Sequence, residues 1–310
     1  MNPAWSVIFF TVLTGMGQGL FLMLVLVQGG AAPASVEARS LAFGGMMAVA
    51  LMGAGLVCSF FHLGHPLRAW RAVAMWRTSW LSREVIVLPA TLGVAAWWSC
   101  AHGFGWPGAA VLGLVGGVLC LALWGCTGMI YACLRFLREW AHWLTPVNFG
   151  LLGWMSGASV FAWFWFSLHG AAAARPAVAA ALALTLVAAC GRIASLLRNR
   201  RLKPRSTPQS ALGVANAKLR QISQGATGGS FNTREFFHGR SALVIRNVKW
   251  ATLGLSFVLP FLLLLIAVRS PSSWLLGAVA LSQVPGLLAE RWLFFAQANH
   301  PQNIYYQAVA

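Results

Sequence analysis

Aspartate is missing from this chain, and only five glutamates (Glu37, Glu84, Glu139, Glu235 and Glu290) carry negative charge in 310 residues. Charged residues make up 9% of the sequence, against about 25% in an ordinary soluble domain, which excludes a soluble globular fold. The formal net charge of +17 therefore reflects absent acids as much as added bases. Strongly basic chains often bind nucleic acid, but here the bases sit between apolar runs and no soluble basic domain carries them. Membrane lipids and membrane topology account for them better, and no nucleic-acid partner is expected.

The cysteines lack the spacing of a cluster. Cys58, Cys100, Cys120, Cys126, Cys133 and Cys190 fall in or at the ends of apolar runs, and no C-x-x-C occurs. An iron-sulfur centre needs closely grouped thiolates, so these read as small core residues and no cluster is expected in this chain. Haem meets a similar obstacle. Two axial ligands must face each other from neighbouring helices, yet His62, His65, His102, His142, His169, His238 and His300 all fall at the ends of apolar runs or between them. No metal site, haem or molybdenum is expected here.

What remains is apolar. The chain is 59% hydrophobic with a mean hydropathy of +0.71. Eight runs, about 5–28, 40–61, 84–103, 108–133, 147–168, 177–197, 248–268 and 273–296, each approach the roughly 20 residues that cross a bilayer core. The fold expected is all-α: a polytopic membrane protein, eight transmembrane helices in one bundle spanning residues 1–310. The first run lacks the basic flank of a signal peptide, and G-F-G-W-P-G joins the third and fourth by a tight turn. Most of the sixteen tryptophans fall near the ends of the runs, as an aromatic belt requires. Nineteen of the bases fall on one side of this arrangement and Arg39, Arg175 and Arg269 on the other. The positive-inside rule then places both termini in the cytoplasm, with residues 198–247 a basic cytoplasmic loop. Within that loop S-T-P-Q-S should break any helix, A-L-G-V-A-N-A-K-L-R-Q-I reads as a short amphipathic surface helix, and G-A-T-G-G-S reads as a flexible turn. The loop is either solvated or a docking surface for a soluble subunit.

The chemistry concentrates between the second and third runs, in F-H-L-G-H-P-L-R-A-W-R-A-V-A-M-W-R-T-S-W-L-S-R-E from Phe61 to Glu84. A histidine and a carboxylate at a lipid-water boundary suit a lipid-soluble, proton-coupled substrate such as a quinol. Glu84 would open the third helix, where the helix dipole also favours a carboxylate. Arg68 and Arg71 would meet headgroups or a partner. Ionisable groups inside a span are functional candidates by default, which singles out Glu290 and Arg291. Their plainer reading is a structural ion pair. Gln18 sits in T-G-M-G-Q-G-L-F, where three glycines permit close helix contact; its plainer reading is an interhelical hydrogen bond.

Four segments carry a resemblance: T-G-M-G-Q-G-L-F from Thr14, H-L-G-H-P-L-R-A-W from His62, S-W-L-S-R-E from Ser79 and E-R-W-L-F-F-A-Q-A-N-H-P from Glu290. Together they resemble the membrane-anchor subunits of dimethyl-sulfoxide-reductase-type molybdoenzymes. The long basic loop looks more like the branch that serves quinone-linked sulfite dehydrogenases. The resemblance implies a haem-free, eight-helix anchor in the bacterial cytoplasmic membrane, without catalysis of its own. It would hold a molybdopterin catalytic subunit and a four-cluster, ferredoxin-like iron-sulfur subunit, and exchange electrons and protons with menaquinone or ubiquinone. In that family the histidine of H-L-G and the glutamate opening the next helix handle the quinol and its protons; they match His62 and Glu84, with Gln18 and Arg68 as further quinone contacts. A secondary transporter with an intramembrane carboxylate and a haem-b anchor are the alternatives.

Overall fold

The computed structural model describes residues 1–31, 37–204, 206–215, 218–220, 222 and 235–305. Among them every regular element is helical. The long helices are α1 (Trp5–Leu26), α2 (Ala38–Phe60), α3 (Trp80–Phe104), α4 (Ala109–Ala132) and α5 (Leu144–Arg200). After a short α6 (Pro208–Leu212) come α7 (Ala242–Arg269), which carries one wide turn at Gly254–Val258, and α8 (Ser273–Ala296). Six helices are long and apolar enough to cross a membrane. At 24 residues α8 is also long enough, but Gln283 and Glu290 dilute its hydropathy.

Helix α5 is the anomaly. Its 57 residues would reach about 85 Å if straight, nearly three bilayer cores. Gly170 breaks it with φ 75° and ψ −171°, a conformation open to glycine alone. The two limbs fold back on each other. Asn148 on the first donates to the carbonyl of Gly191 (3.2 Å) and to Ser195 Oγ (2.7 Å) on the second.

Helix α1 is the most enclosed of the long helices, and its glycines explain how. A Cβ on Gly19 would lie 2.2 Å from the carbonyl oxygen of Gly153, and one on Gly157 would lie 2.2 Å from the backbone of Gly19. On another face, a Cβ on Gly17 would meet the carbonyl of Ala48 at 2.7 Å. T-G-M-G-Q-G therefore lets α1 touch α5 on one side and α2 on the other at backbone distance. Around it packs a core that includes Phe21, Trp98, Phe161 and Met52.

Several boundaries differ from expectation. Helix α3 begins at Trp80, capped by Ser79, whose Oγ accepts from the amide of Ser82 at 3.3 Å. A serine cap overrides the hydropathy minimum across Ser82–Glu84. Glu84 thus lies in the second turn rather than at the opening. The α5 hairpin runs to Arg200 and α7 starts at Ala242, so the intervening loop is shorter than 198–247. S-T-P-Q-S does not break a helix but starts one: Thr207 caps α6 and Pro208 occupies its first turn, where a missing N–H costs little. The amphipathic helix expected over 211–222 is absent from its described residues beyond Leu212; its residues 216, 217 and 221, and all of G-A-T-G-G-S, lie outside the described set.

Candidate functional site

One end of the bundle gathers the connections 61–79 and 133–143, the start of the chain, the end of α5, the start of α7 and the residues 297–305 that follow α8. Met1 donates from its ammonium to the carbonyls of Ala298 (3.1 Å) and Ala296 (3.4 Å), and Asn2 to that of Glu235 (2.6 Å).

The 61–79 connection is built around a 3₁₀ segment, Pro66–Met75, in which no residue is buried. Leu67 is 94% exposed and Trp70 70%. Arginines sit over tryptophan rings nearby: Arg71 on Trp70 at 5.5 Å, Arg77 on Trp76 at 5.4 Å and Arg83 on Trp80 at 4.2 Å. Arg83 also folds back to donate to the carbonyls of Trp76 (3.0 Å) and Arg77 (2.8 Å). It satisfies carbonyls the 3₁₀ segment leaves open and pins the segment to the head of α3.

Next to Arg83, in the second turn of α3, lies Glu84, only 6% exposed. Its carboxylate accepts a hydrogen bond from Thr127 Oγ1 on α4, one turn below Tyr131. A carboxyl group here is withdrawn from water but stands four residues from the helix start, about 6 Å along the axis. His62 occupies the turn after α2 and is exposed. Its surroundings lower its pKa from the ordinary 6.5 through partial loss of water, so the imidazole is neutral near pH 7. No contact joins His62 to Glu84 among the described residues. Arg68 is exposed at the start of the 3₁₀ segment, its amide bonded to the carbonyl of His65. Gln18 is buried in α1, its Nε2 without a protein partner among the described residues.

Glu290 and Arg291 are brought together, and a third member joins them. Glu290 is wholly buried, bonded by Arg291 Nε and approached by Arg192 Nε at 2.8 Å from the second limb of α5. The Arg192 contact is ionic rather than an aligned N–H···O bond. Arg291 also lies over the Phe149 ring at 4.0 Å. Arg192, placed by sequence at the edge of the basic loop, is instead buried inside the bundle.

The opposite end holds a polar group that hydropathy did not single out. Trp98 Nε1 donates to Gln28 Oε1 at 2.9 Å, and Gln28 Nε2 lies 2.9 Å from His102 Nε2. Gly113 on α4 leaves room for this pair; a Cβ there would lie 2.4 Å from Gln28 Oε1.

Among the described residues no three of His, Cys, Asp or Glu are gathered as metal ligands, and the six cysteines are free. The arrangement offers one buried carboxyl group near a surface, one exposed neutral imidazole and a separate ionic lock. Residues 1–296 match the family described as DMSO reductase anchor subunit (DmsC). The C subunit of the sulfite dehydrogenase of Allochromatium vinosum is 48% identical over 330 aligned positions that cover all of both chains. The chain belongs to the DMSO reductase anchor subunit family and is a multi-pass membrane protein.

Proposed function

From that membership we propose that the chain crosses the bacterial cytoplasmic membrane eight times as a single unit and anchors a molybdopterin catalytic subunit and a four-cluster iron-sulfur subunit. In this reading it passes electrons and protons between them and the quinone pool. Two features support eight crossings: the α5 hairpin at Gly170 and the length of α8. An even number agrees with the bonding of Met1 to the chain's tail at one end. Cytoplasmic termini follow from the excess of bases at that end. The relative's name points to sulfite as the complex's substrate. Sulfite oxidation to sulfate releases two electrons and two protons, and a quinone takes up two of each.

The observation that carries the reading is Glu84. A carboxylate enclosed between α3 and α4, next to Arg83, is costly in an apolar bundle and suits proton exchange with a membrane-soluble substrate. His62, neutral and exposed in the same connection, would bond one quinone oxygen. The terminal cluster of the iron-sulfur subunit would approach through the 61–79 connection, with Arg68 and Gln18 as further quinone contacts. Neither haem, cluster nor molybdenum would be held by this chain.

The test compares two assays on the purified complex carrying Glu84→Gln. Turnover with quinone should fall about 100-fold or more, while turnover with a soluble artificial electron carrier should stay at the wild-type level. Equal rates in both assays would remove Glu84 from the site. Solute transport by the chain alone, without soluble subunits, would favour a transporter.

A further inference from the structure

Beside the Glu290 ion pairs, buried polar atoms remain without protein partners among the described residues, and four of them belong to residues that line one small space. Arg192 Nη2 and Arg291 Nη1 are donors; Asn148 Oδ1 and Glu139 Oε2 are acceptors. All four atoms are buried, and all four residues line the same cavity of about 10 Å³. Arg192, Arg291 and Asn148 are each under 5% exposed. That volume matches a single water, which needs about 10–15 Å³ and two to four polar partners.

Ligand chemistry follows from the lining. A cation is excluded by two guanidinium donors. An anion is opposed by two acceptors, one of them a carboxylate. Arg192 and Arg291 both pair with Glu290, and Glu139, which lines the same cavity, supplies a second negative charge nearby. Only a molecule that donates twice and accepts twice serves all four atoms, and leaving them unserved in the interior would be expensive. We propose that one ordered water occupies this site, accepting from Arg192 and Arg291 and donating to Asn148 and Glu139. It links Glu139 to the Glu290 ion pairs through water rather than by direct contact. The network joins both limbs of α5, α8 and the α4–α5 connection.

A structure of the intact complex that resolves ordered waters tests this. A single peak within hydrogen-bond distance of all four atoms is expected. An absent peak, with the guanidinium groups turned onto protein partners, would overturn the proposal. A crystal soaked in bromide should show no anomalous peak there; a bromide peak would overturn it in favour of an anion. Asn148→Leu removes one acceptor and fills the space. It should abolish the peak and lower the unfolding midpoint by roughly 2–10 °C; an unchanged midpoint would count against the site. Should that variant fail to assemble, radiolytic labelling of the wild-type complex decides the matter. Phe149 and Phe294 beside the cavity should take up oxygen from a water activated within reach of their rings, and unlabelled rings would overturn the assignment.

Discussion

The two ends of this bundle bury polar groups by different means. The end that carries the long connections uses ionisable groups: the Glu84 carboxyl group with Thr127, and Glu290 between Arg192 and Arg291. The other end uses neutral groups, Trp98, Gln28 and His102. An indole nitrogen only donates, so Gln28 must turn its carbonyl to Trp98 and its amide to His102. His102 Nε2 then accepts, and its proton sits on Nδ1. A protonated imidazole would face the amide donor head-on, so His102 stays neutral in this contact. Among the described residues the buried glutamates and arginines, Glu84, Arg192, Glu290 and Arg291, thus all lie at the end whose connections offer water and partner surfaces. The proposed proton exchange is placed with them, and the far end is assigned to packing.

Removing the ionic partner should do most to break this contrast. Glu290→Ala strands two guanidinium groups, and breaking a buried pair by one partner costs about 3–5 kcal/mol. Little assembled complex should be recovered from membranes, whereas Glu290→Ala combined with Arg192→Met should restore part of it. Next in size is the contrast between Glu84 and His102. Where Glu84→Gln should abolish most quinone-linked turnover, His102→Gln should leave that rate within about threefold, since loss of one neutral hydrogen bond is worth about 0.5–1.5 kcal/mol and the proposed reading gives this end no part in proton exchange. A large loss in His102→Gln with normal assembly would move proton handling to the far end.

Gln28→Leu sharpens the comparison on stability instead of rate. It leaves the Trp98 indole N–H buried and unpaired, which costs about 1–3 kcal/mol. The unfolding midpoint of the complex should fall by several degrees while quinone-linked turnover at moderate temperature holds. The same variant frees His102 from its fixed tautomer, and nitrogen NMR of labelled histidine should show the change. A single unchanged tautomer would refute the Gln28 lock.

How much of this was visible beforehand differs between the ends. The apolar runs all fall on helices, two of them on the single α5, and T-G-M-G-Q-G does bring helices to backbone distance, because glycine spacing states a surface property directly. Glu290 and Arg291 are adjacent, so their pairing was readable too. Arg192 was not: its partner lies 98 positions away, and at the edge of a basic loop it counted as one more loop base. Thr127 as the partner of Glu84 was hidden for the same reason, since periodicity fixes which face is apolar but not which helix it meets. Gln28 and His102 escaped notice because each, alone near a helix end, reads as ordinary interfacial polarity. The serine cap at Ser79 was legible in principle, and it would have moved Glu84 one turn inward.

The smallest effect concerns His62, exposed where its counterpart His102 is locked. His62→Ala removes one hydrogen bond to the quinone, about 0.5–1.5 kcal/mol, or a rise in the apparent Michaelis constant for quinone of roughly 2- to 12-fold. Acidity gives the finer test. Partial loss of water holds the folded pKa of His62 below its ordinary 6.5, so the folded chain favours the neutral ring. Its contribution to stability is complete above pH 6.5 and is lost as pH falls through the lower, folded value. Quinone affinity that depends on neutral His62 should be flat above pH 6.5 and weaken as the pH drops below it. His62→Ala should flatten that acid limb, while His102→Gln should leave it in place. A limb that survives His62→Ala unchanged would mean that another group titrates there, and the imidazole of His62 would no longer belong to the quinone site.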